Sequence, residues 1–132
     1  MKIKYVPRTE YQKQWAIKHR DSIIESKRKY NLKNRDKINE MSRLRKARQR
    51  LEVLKHYSNG TLSCDCCGEL EYDFLTIDHV NGGGRKHREE IHHGHLEIWL
   101  IMNNFPEGYK VLCYNCNCGR AKNNGICPHK KR

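Results

Sequence analysis

The sequence has few of the residues that build a large hydrophobic core. Only 36% of its 132 residues are hydrophobic, and just two are Phe. It shows no signal-peptide pattern and no apolar run long enough to cross a membrane, so we expect a cytoplasmic protein with no membrane partner. A chain this short and polar has room for one modest domain and an appendage, and that domain needs stabilisation beyond its core.

Cysteine is the residue that could supply this stabilisation. Four of the seven cysteines form two C-x-x-C pairs, Cys64 with Cys67 and Cys113 with Cys116. Without secretory features such pairs indicate metal binding, and the odd total argues against a complete disulfide framework. Two pairs can close one tetrahedral site with Zn–S distances of about 2.3 Å. We therefore predict a structural zinc ion whose loss unfolds the domain.

Four further potential ligands fall outside these pairs: Cys66, Cys118, Cys127 and His129. They could form a second metal site, but Cys66 adjoins a ligand of the first site and the spacing is irregular. The favoured interpretation is that Cys66 and Cys118 are small buried residues and that Cys127 and His129 pack the C-terminus.

Positive charge is concentrated in the first part of the chain. Residues 1–56 hold 18 Lys and Arg against 6 Asp and Glu, whereas residues 57–132 hold 9 of each kind. A basic segment with no apolar span most often contacts a polyanion such as DNA, although a solvated helix that contacts nothing is the alternative. The candidate DNA contacts in this segment are Arg20, Lys27, Arg28, Arg35, Arg43, Arg45, Lys46, Arg48 and Arg50.

The same segment contains an imperfect 15-residue repeat, in which residues 15–25 align with residues 30–40. No Pro or Gly occurs between Thr9 and Asn59, which predicts helix. Asn34 could cap a new helix, so one bent helix and two shorter ones both remain open. We predict a basic helical arm over residues 1–57 and a separate domain over residues 58–132.

The second part alternates strand and helix signals, which predicts an α+β domain. An apolar run precedes Asp78-His79, and three consecutive glycines follow shortly afterwards. The predicted elements are a strand at 74–77, a loop at 81–84, a helix at 89–103, a strand at 109–112 and a short helix ending near 123.

The order of motifs in residues 60–129 resembles the HNH, or ββα-metal, nucleases. The shared residues are C-x-x-C-G from Cys64, Asp78-His79 at a strand end, and Leu-Cys-x-x-Cys-Asn ending at Asn117. The match is to the zinc-stapled branch, held together by a structural zinc ion, which includes phage recombination endonuclease VII and small phage proteins. The resemblance implies a small zinc-stapled ββα-metal domain preceded by an extended basic α-helical arm.

The resemblance also implies roles for individual residues. His79 would be the general base that activates water, and Asp78 and Asn117 would bind a catalytic Mg²⁺ or Mn²⁺. The substrate would be DNA, in the bacterial host cytoplasm if the protein is phage-encoded. Arg85, His87, Arg88 and Arg120 are further candidates for contacts with the DNA backbone.

Two positions depart from the family pattern. Gly108 stands where many HNH proteins carry an Asn that orients the histidine. Arg120 stands where the endonuclease VII branch carries an acidic residue. The metal ligands would then be Asp78 and Asn117 alone, and Arg120 could contact phosphate.

Two other functions compete with this interpretation. His95-x-Glu97 with Cys113-x-x-Cys116 superficially matches zinc deaminases, but the Pro before Cys113 is missing and Asp78-His79 would have no role. A non-catalytic zinc-stapled DNA-binding protein is the serious rival. Substrate shape, cut-site sequence, biological role and a possible homodimer are not encoded in these motifs.

Overall fold

The computed structural model describes residues 9–91 and 95–131. These residues form six α-helices and one two-stranded antiparallel sheet, which confirms the α+β class. None of these helices is both long and apolar enough to span a membrane. The helices are α1 (Glu10–Lys18), α2 (Arg20–Lys33), α3 (Arg35–Tyr57), α4 (Gly84–Glu90), α5 (Leu96–Met102) and α6 (Tyr114–Lys122), and the strands are β1 (Leu75–His79) and β2 (Tyr109–Cys113).

The chain divides into two compact units, Met1–Arg43 (unit 1) and Leu44–Arg132 (unit 2). The C-terminal part of α3 therefore belongs to unit 2, where Val53 and Leu54 are buried. The sequence had placed these residues in the arm, so the compact unit begins before the predicted domain does.

The 15-residue repeat of unit 1 has a structural counterpart in two matching helix breaks. His19 and Asn34 occupy the same place in the repeat and have nearly the same backbone angles, φ −106° and −110°. Each side chain also bonds the carbonyl four residues earlier at 2.8 Å: His19 Nδ1 with Trp15 O, and Asn34 Nδ2 with Tyr30 O. The arm thus has three helices where the sequence predicted one or two.

Unit 2 is organised around the antiparallel pair of strands β1 and β2. Leu75 lies opposite Cys113, and His79 lies opposite Tyr109. The long helix predicted at 89–103 is wrong: α4 begins at Gly84, inside the predicted glycine loop, and α5 begins at Leu96. Residues 92–94, which include His92 and His93, lie outside the described part.

Both strands and α3 contribute to the core of unit 2. Leu54, Leu75, Val111 and Leu112 are at most 1% exposed and pack with buried cysteines. Arg50 secures α3 to the start of β1 by donating hydrogen bonds to the carbonyl oxygens of Tyr72 (3.1 Å) and Leu75 (3.0 Å). The start of β1 lies opposite the end of β2 and beside the first turn of α6, where Asn117 contacts Thr76.

Candidate functional site

The two C-x-x-C pairs come together as one group, which we call the four-thiol group (Cys64, Cys67, Cys113, Cys116). Their sulfur atoms all lie within 4.8 Å of one another, and Cys67 and Cys113 are separated by 3.7 Å. Cys113 ends β2, and Cys116 lies in the first turn of α6. This group can hold a metal ion such as zinc.

The loop that contains Cys64 and Cys67 is shaped to stabilise thiolate. Gly68 adopts φ +79°, and its N–H bonds the Cys64 carbonyl at 2.9 Å. Burial raises the pKa of the Cys64 thiol, but backbone N–H groups from Cys113 and from the loop itself offset this and lower the pKa to about 7.

A second group also converges, and we call it the Cys–His group (Cys66, Cys116, Cys127, His129). Its ligand atoms likewise lie within 4.8 Å of one another. The second metal site that the sequence left open for Cys66, Cys127 and His129 is thus compatible with their positions in the structure. The interpretation of Cys118 as buried is wrong, because this residue is exposed and belongs to neither group.

Asp78 and His79 lie at the end of β1, as predicted, and Asn117 lies on α6 beside them. All three line a cavity of about 560 Å³. Exposed Arg85 and Arg88 from α4 line the same cavity. The structure thus brings together the three proposed catalytic residues and four of the predicted DNA contacts, Arg50, Arg85, His87 and Arg88.

The imidazole of His79 is held by a second histidine. His79 Nε2 lies 3.0 Å from His87 Nδ1, and the Tyr109 hydroxyl lies 3.4 Å from the same nitrogen. His87 in turn packs edge-on against Trp99, with ring centroids 4.3 Å apart. The sequence suggested His87 only as a DNA contact; its spacing from His79 across the glycine loop gave no signal of this pairing.

These contacts indicate which nitrogen of His79 carries the proton. His87 Nδ1 faces two potential donors, the Tyr109 hydroxyl and His79 Nε2, so it suits the acceptor role. His79 Nε2 would then carry hydrogen, which leaves Nδ1 with the free lone pair. The pKa of His79 is also lowered, chiefly by burial and additionally by the nearby charge of Arg88.

The amide orientation of Asn117 follows from its neighbour. The Thr76 hydroxyl donates to the Leu112 carbonyl at 2.9 Å, so its oxygen accepts from Asn117 Nδ2 at 3.1 Å. The carbonyl oxygen of Asn117 is therefore the atom left available as a ligand.

Arg120 forms an ion pair with Asp78 through Nη1 and Oδ2. Its other two nitrogens also make one hydrogen bond each: Nη2 donates to the Val80 carbonyl and Nε donates to the Gly125 carbonyl, both at 2.9 Å. The guanidinium is thus committed within the protein, which disfavours the phosphate contact suggested by the sequence. The pair engages one oxygen of Asp78, and Oδ1 remains available.

The backbone conformation at position 108 favours glycine. Its φ of +99° favours residues without a side chain, and its carbonyl accepts a hydrogen bond from Val80 N at 2.9 Å. This contact closes the sheet next to His79. The His79 imidazole is contacted by His87 and not by a side chain at position 108.

Most predicted DNA contacts are exposed, but Arg50 is not free to act as one. Its guanidinium bonds backbone carbonyls near β1 and lies 4.5 Å from the centre of the Tyr72 ring. It therefore stabilises unit 2. The exposed candidates are Arg20, Lys27, Arg28, Arg35, Arg43, Arg45, Lys46, Arg48, Arg85 and Arg88.

No protein-family model matches the chain, and neither the curated proteins nor the solved structures yielded a match.

Proposed function

We propose that this protein is a metal-dependent DNA endonuclease of the HNH, or ββα-metal, type. The observation that carries the proposal is the joint position of Asp78, His79 and Asn117 in one cavity, where a neutral histidine presents a free nitrogen. The two strands followed by α6 fit the ββα order that the resemblance implies.

His79 would act as the general base. Its Nδ1 takes a proton from a water molecule, which then attacks the scissile phosphorus. His87 holds the ring through Nε2 and so keeps Nδ1 directed into the cavity. Because the pKa of His79 is lowered, the reactive neutral form prevails at neutral pH.

The residues present fit a hard divalent cation such as Mg²⁺ or Mn²⁺. Asp78 Oδ1 and Asn117 Oδ1 would be the oxygen ligands, and few protein ligands would be needed because Mg²⁺ usually retains water. When bound, the cation would neutralise the scissile phosphate and stabilise the departing 3′ oxygen. Asn117 is kept in place through Thr76.

The four-thiol group would hold a structural zinc ion. Cys113 and Cys116 flank the junction of β2 and α6, so a zinc ion held by them would help to fix the position of Asn117 one residue later. Zinc thus supports the site without taking part in the reaction.

The test is cleavage of a supercoiled plasmid by the full chain, desalted and then supplied with Mg²⁺ or Mn²⁺. The cation is omitted in the control, because a chelator would also remove zinc. We expect nicked circles only with the cation, carrying 5′-phosphate and 3′-hydroxyl ends that DNA ligase reseals. Intact plasmid under both conditions would contradict the proposal.

The ion pair between Arg120 and Asp78 favours one alternative, a non-catalytic zinc-stapled DNA-binding protein. A carboxylate that is already neutralised does not require a metal. This function predicts that plasmid is shifted on a gel but never cut, with or without Mg²⁺.

The acidic limb of the pH–rate profile should depend on Arg88. The rate should rise with pH as His79 deprotonates, with a midpoint below about 6.5. Arg88→Ala removes a charge that lowers the pKa of His79, so the midpoint should move upward. Arg85→Ala, which removes a neighbouring charge paired with Glu89, is the matched control. Equal shifts in both variants would argue against this assignment.

Gly84→Ala should reduce nicking about tenfold without loss of stability. A Cβ at this position would lie 3.1 Å from His79 Nδ1, the proposed base. Alanine suits the first residue of α4 as well as glycine does, so the thermal midpoint should not fall. Lys86→Ala on the same helix should leave the rate unchanged. A fully active Gly84→Ala variant would show that Nδ1 is not the reacting atom.

Deleting residues 1–43 should weaken DNA binding for all sequences. This segment has 13 Lys and Arg against 5 Asp and Glu, and each neutralised phosphate adds about −0.9 to the slope of log K against log salt. The cut is placed after Arg43 because a longer deletion would remove Val53 and Leu54 from the core of unit 2. Unchanged affinity and salt slope by fluorescence anisotropy would refute a binding role for unit 1.

A further inference from the structure

The two potential metal-binding groups share one residue, Cys116. It is the only member common to the four-thiol group and the Cys–His group among the described residues. Each group therefore adds three ligands of its own: Cys64, Cys67 and Cys113 in one, and Cys66, Cys127 and His129 in the other. Two tetrahedral zinc ions that share one ligand require this number of donors.

The distances fit zinc in both groups. Zn–S bonds of about 2.3 Å place the sulfur atoms of a tetrahedral site about 3.8 Å apart, and replacing one sulfur by imidazole nitrogen shortens that edge to about 3.6 Å. Cys67 and Cys113 in the first group are 3.7 Å apart. In the second group, His129 Nδ1 lies 3.3 Å from Cys116 Sγ and 3.7 Å from Cys127 Sγ.

The location of Cys116 suits a bridging ligand. It is fully buried in the first turn of α6, with ligands of both groups around it. Three residues later, a Cβ on Gly119 would lie 2.7 Å from Pro128 Cδ. Glycine therefore allows the Cys127–His129 segment to approach α6 closely, and this approach brings the second set of ligands to Cys116.

We propose that this protein binds two zinc ions joined by the thiolate of Cys116. One ion is completed by Cys64, Cys67 and Cys113, and the other by Cys66, Cys127 and His129. Each cysteine loses its proton to solvent as it binds, and His129 remains neutral so that Nδ1 can donate its lone pair. A thiolate sulfur has enough lone pairs to bind both ions.

A single ion would leave part of this arrangement unexplained. With zinc only in the four-thiol group, Cys127 would be a buried thiol at 3% exposure beside His129. With zinc only in the Cys–His group, Cys64 and Cys113 would be left as buried thiols at 3% and 4% exposure. The bridged pair uses every cysteine except exposed Cys118.

The first measurement is the metal content of the full chain by native mass spectrometry after adventitious metal is removed. We expect two zinc ions per chain, and one ion would overturn the proposal while leaving the four-thiol site intact. Replacement with ¹¹³Cd tests the bridge: two resonances that show mutual scalar coupling support a shared sulfur. Two uncoupled resonances would overturn it.

Two variants locate the second ion. Cys66→Ser removes a ligand used only in the Cys–His group and should reduce the zinc content from two ions to one. Cys118→Ser is the matched control and should retain both. Loss of an ion from the control, or two tightly bound ions in Cys66→Ser, would overturn the ligand assignment. Neither measurement involves DNA, so its outcome is separate from that of the nuclease proposal.

Discussion

Replacing His79 with alanine is expected to lower the rate of plasmid nicking by about 10²–10⁴-fold, the usual contribution of a general base. The variant loses the free Nδ1 but keeps Asp78, Asn117 and the thiol groups. DNA affinity should therefore change little, since backbone contacts depend on Lys and Arg. Single-turnover rates at saturating Mg²⁺ with a gel-shift measurement of binding provide the comparison.

His95→Ala is the matched control for this variant. His95 lines the same cavity but is exposed and has no contact with His79 among the described residues. Its removal should leave the rate within about twofold of wild type, as for a surface substitution. If the two histidine variants cut equally well, His79 is not the base and the proposed mechanism fails.

The second large effect should follow substitution of Cys113. Cys113→Ser removes a buried ligand of the four-thiol group, and structural zinc sites supply about 10–16 kcal/mol of apparent folding free energy. We expect unit 2 to lose its fixed packing around Trp99 and Tyr109. Near-ultraviolet circular dichroism and zinc content, measured on the same sample, should fall together.

Cys118→Ser controls for the general effect of losing a thiol. Because Cys118 is exposed and outside both groups, its variant should unfold at the wild-type temperature. A Cys113→Ser protein that retained both its zinc and its aromatic signal would show that the four thiols are not the ligands.

The sequence predicted those parts of the site whose geometry depends on local spacing. A C-x-x-C pair places both sulfurs on one turn, and Asp78-His79 needs only a strand end to present its side chains. The sequence raised Cys66, Cys127 and His129 as possible ligands of a second site, but it could not show that they meet Cys116, since this depends on how closely Pro128 packs against Gly119. That contact is tertiary and leaves no periodic pattern.

The side-chain contacts around the proposed catalytic residues could not be predicted from the sequence for the same reason. His87 reaches His79 only because α4 begins at Gly84, whereas three glycines in the sequence predicted a loop. Arg120 and Asp78 are 42 positions apart, and no spacing rule links them. The break at Asn34 was foreseen as a capping position, but histidine is an uncommon cap and His19 was missed.

The matching breaks at His19 and Asn34 make arm length a modular quantity. Each repeat has its own side-chain hydrogen bond to the carbonyl four residues earlier, so its geometry is encoded locally. One 15-residue repeat contributes about 22 Å of helix at 1.5 Å per residue. Adding or removing a whole repeat would change the helical length of the arm in fixed steps without altering the buried residues of unit 2.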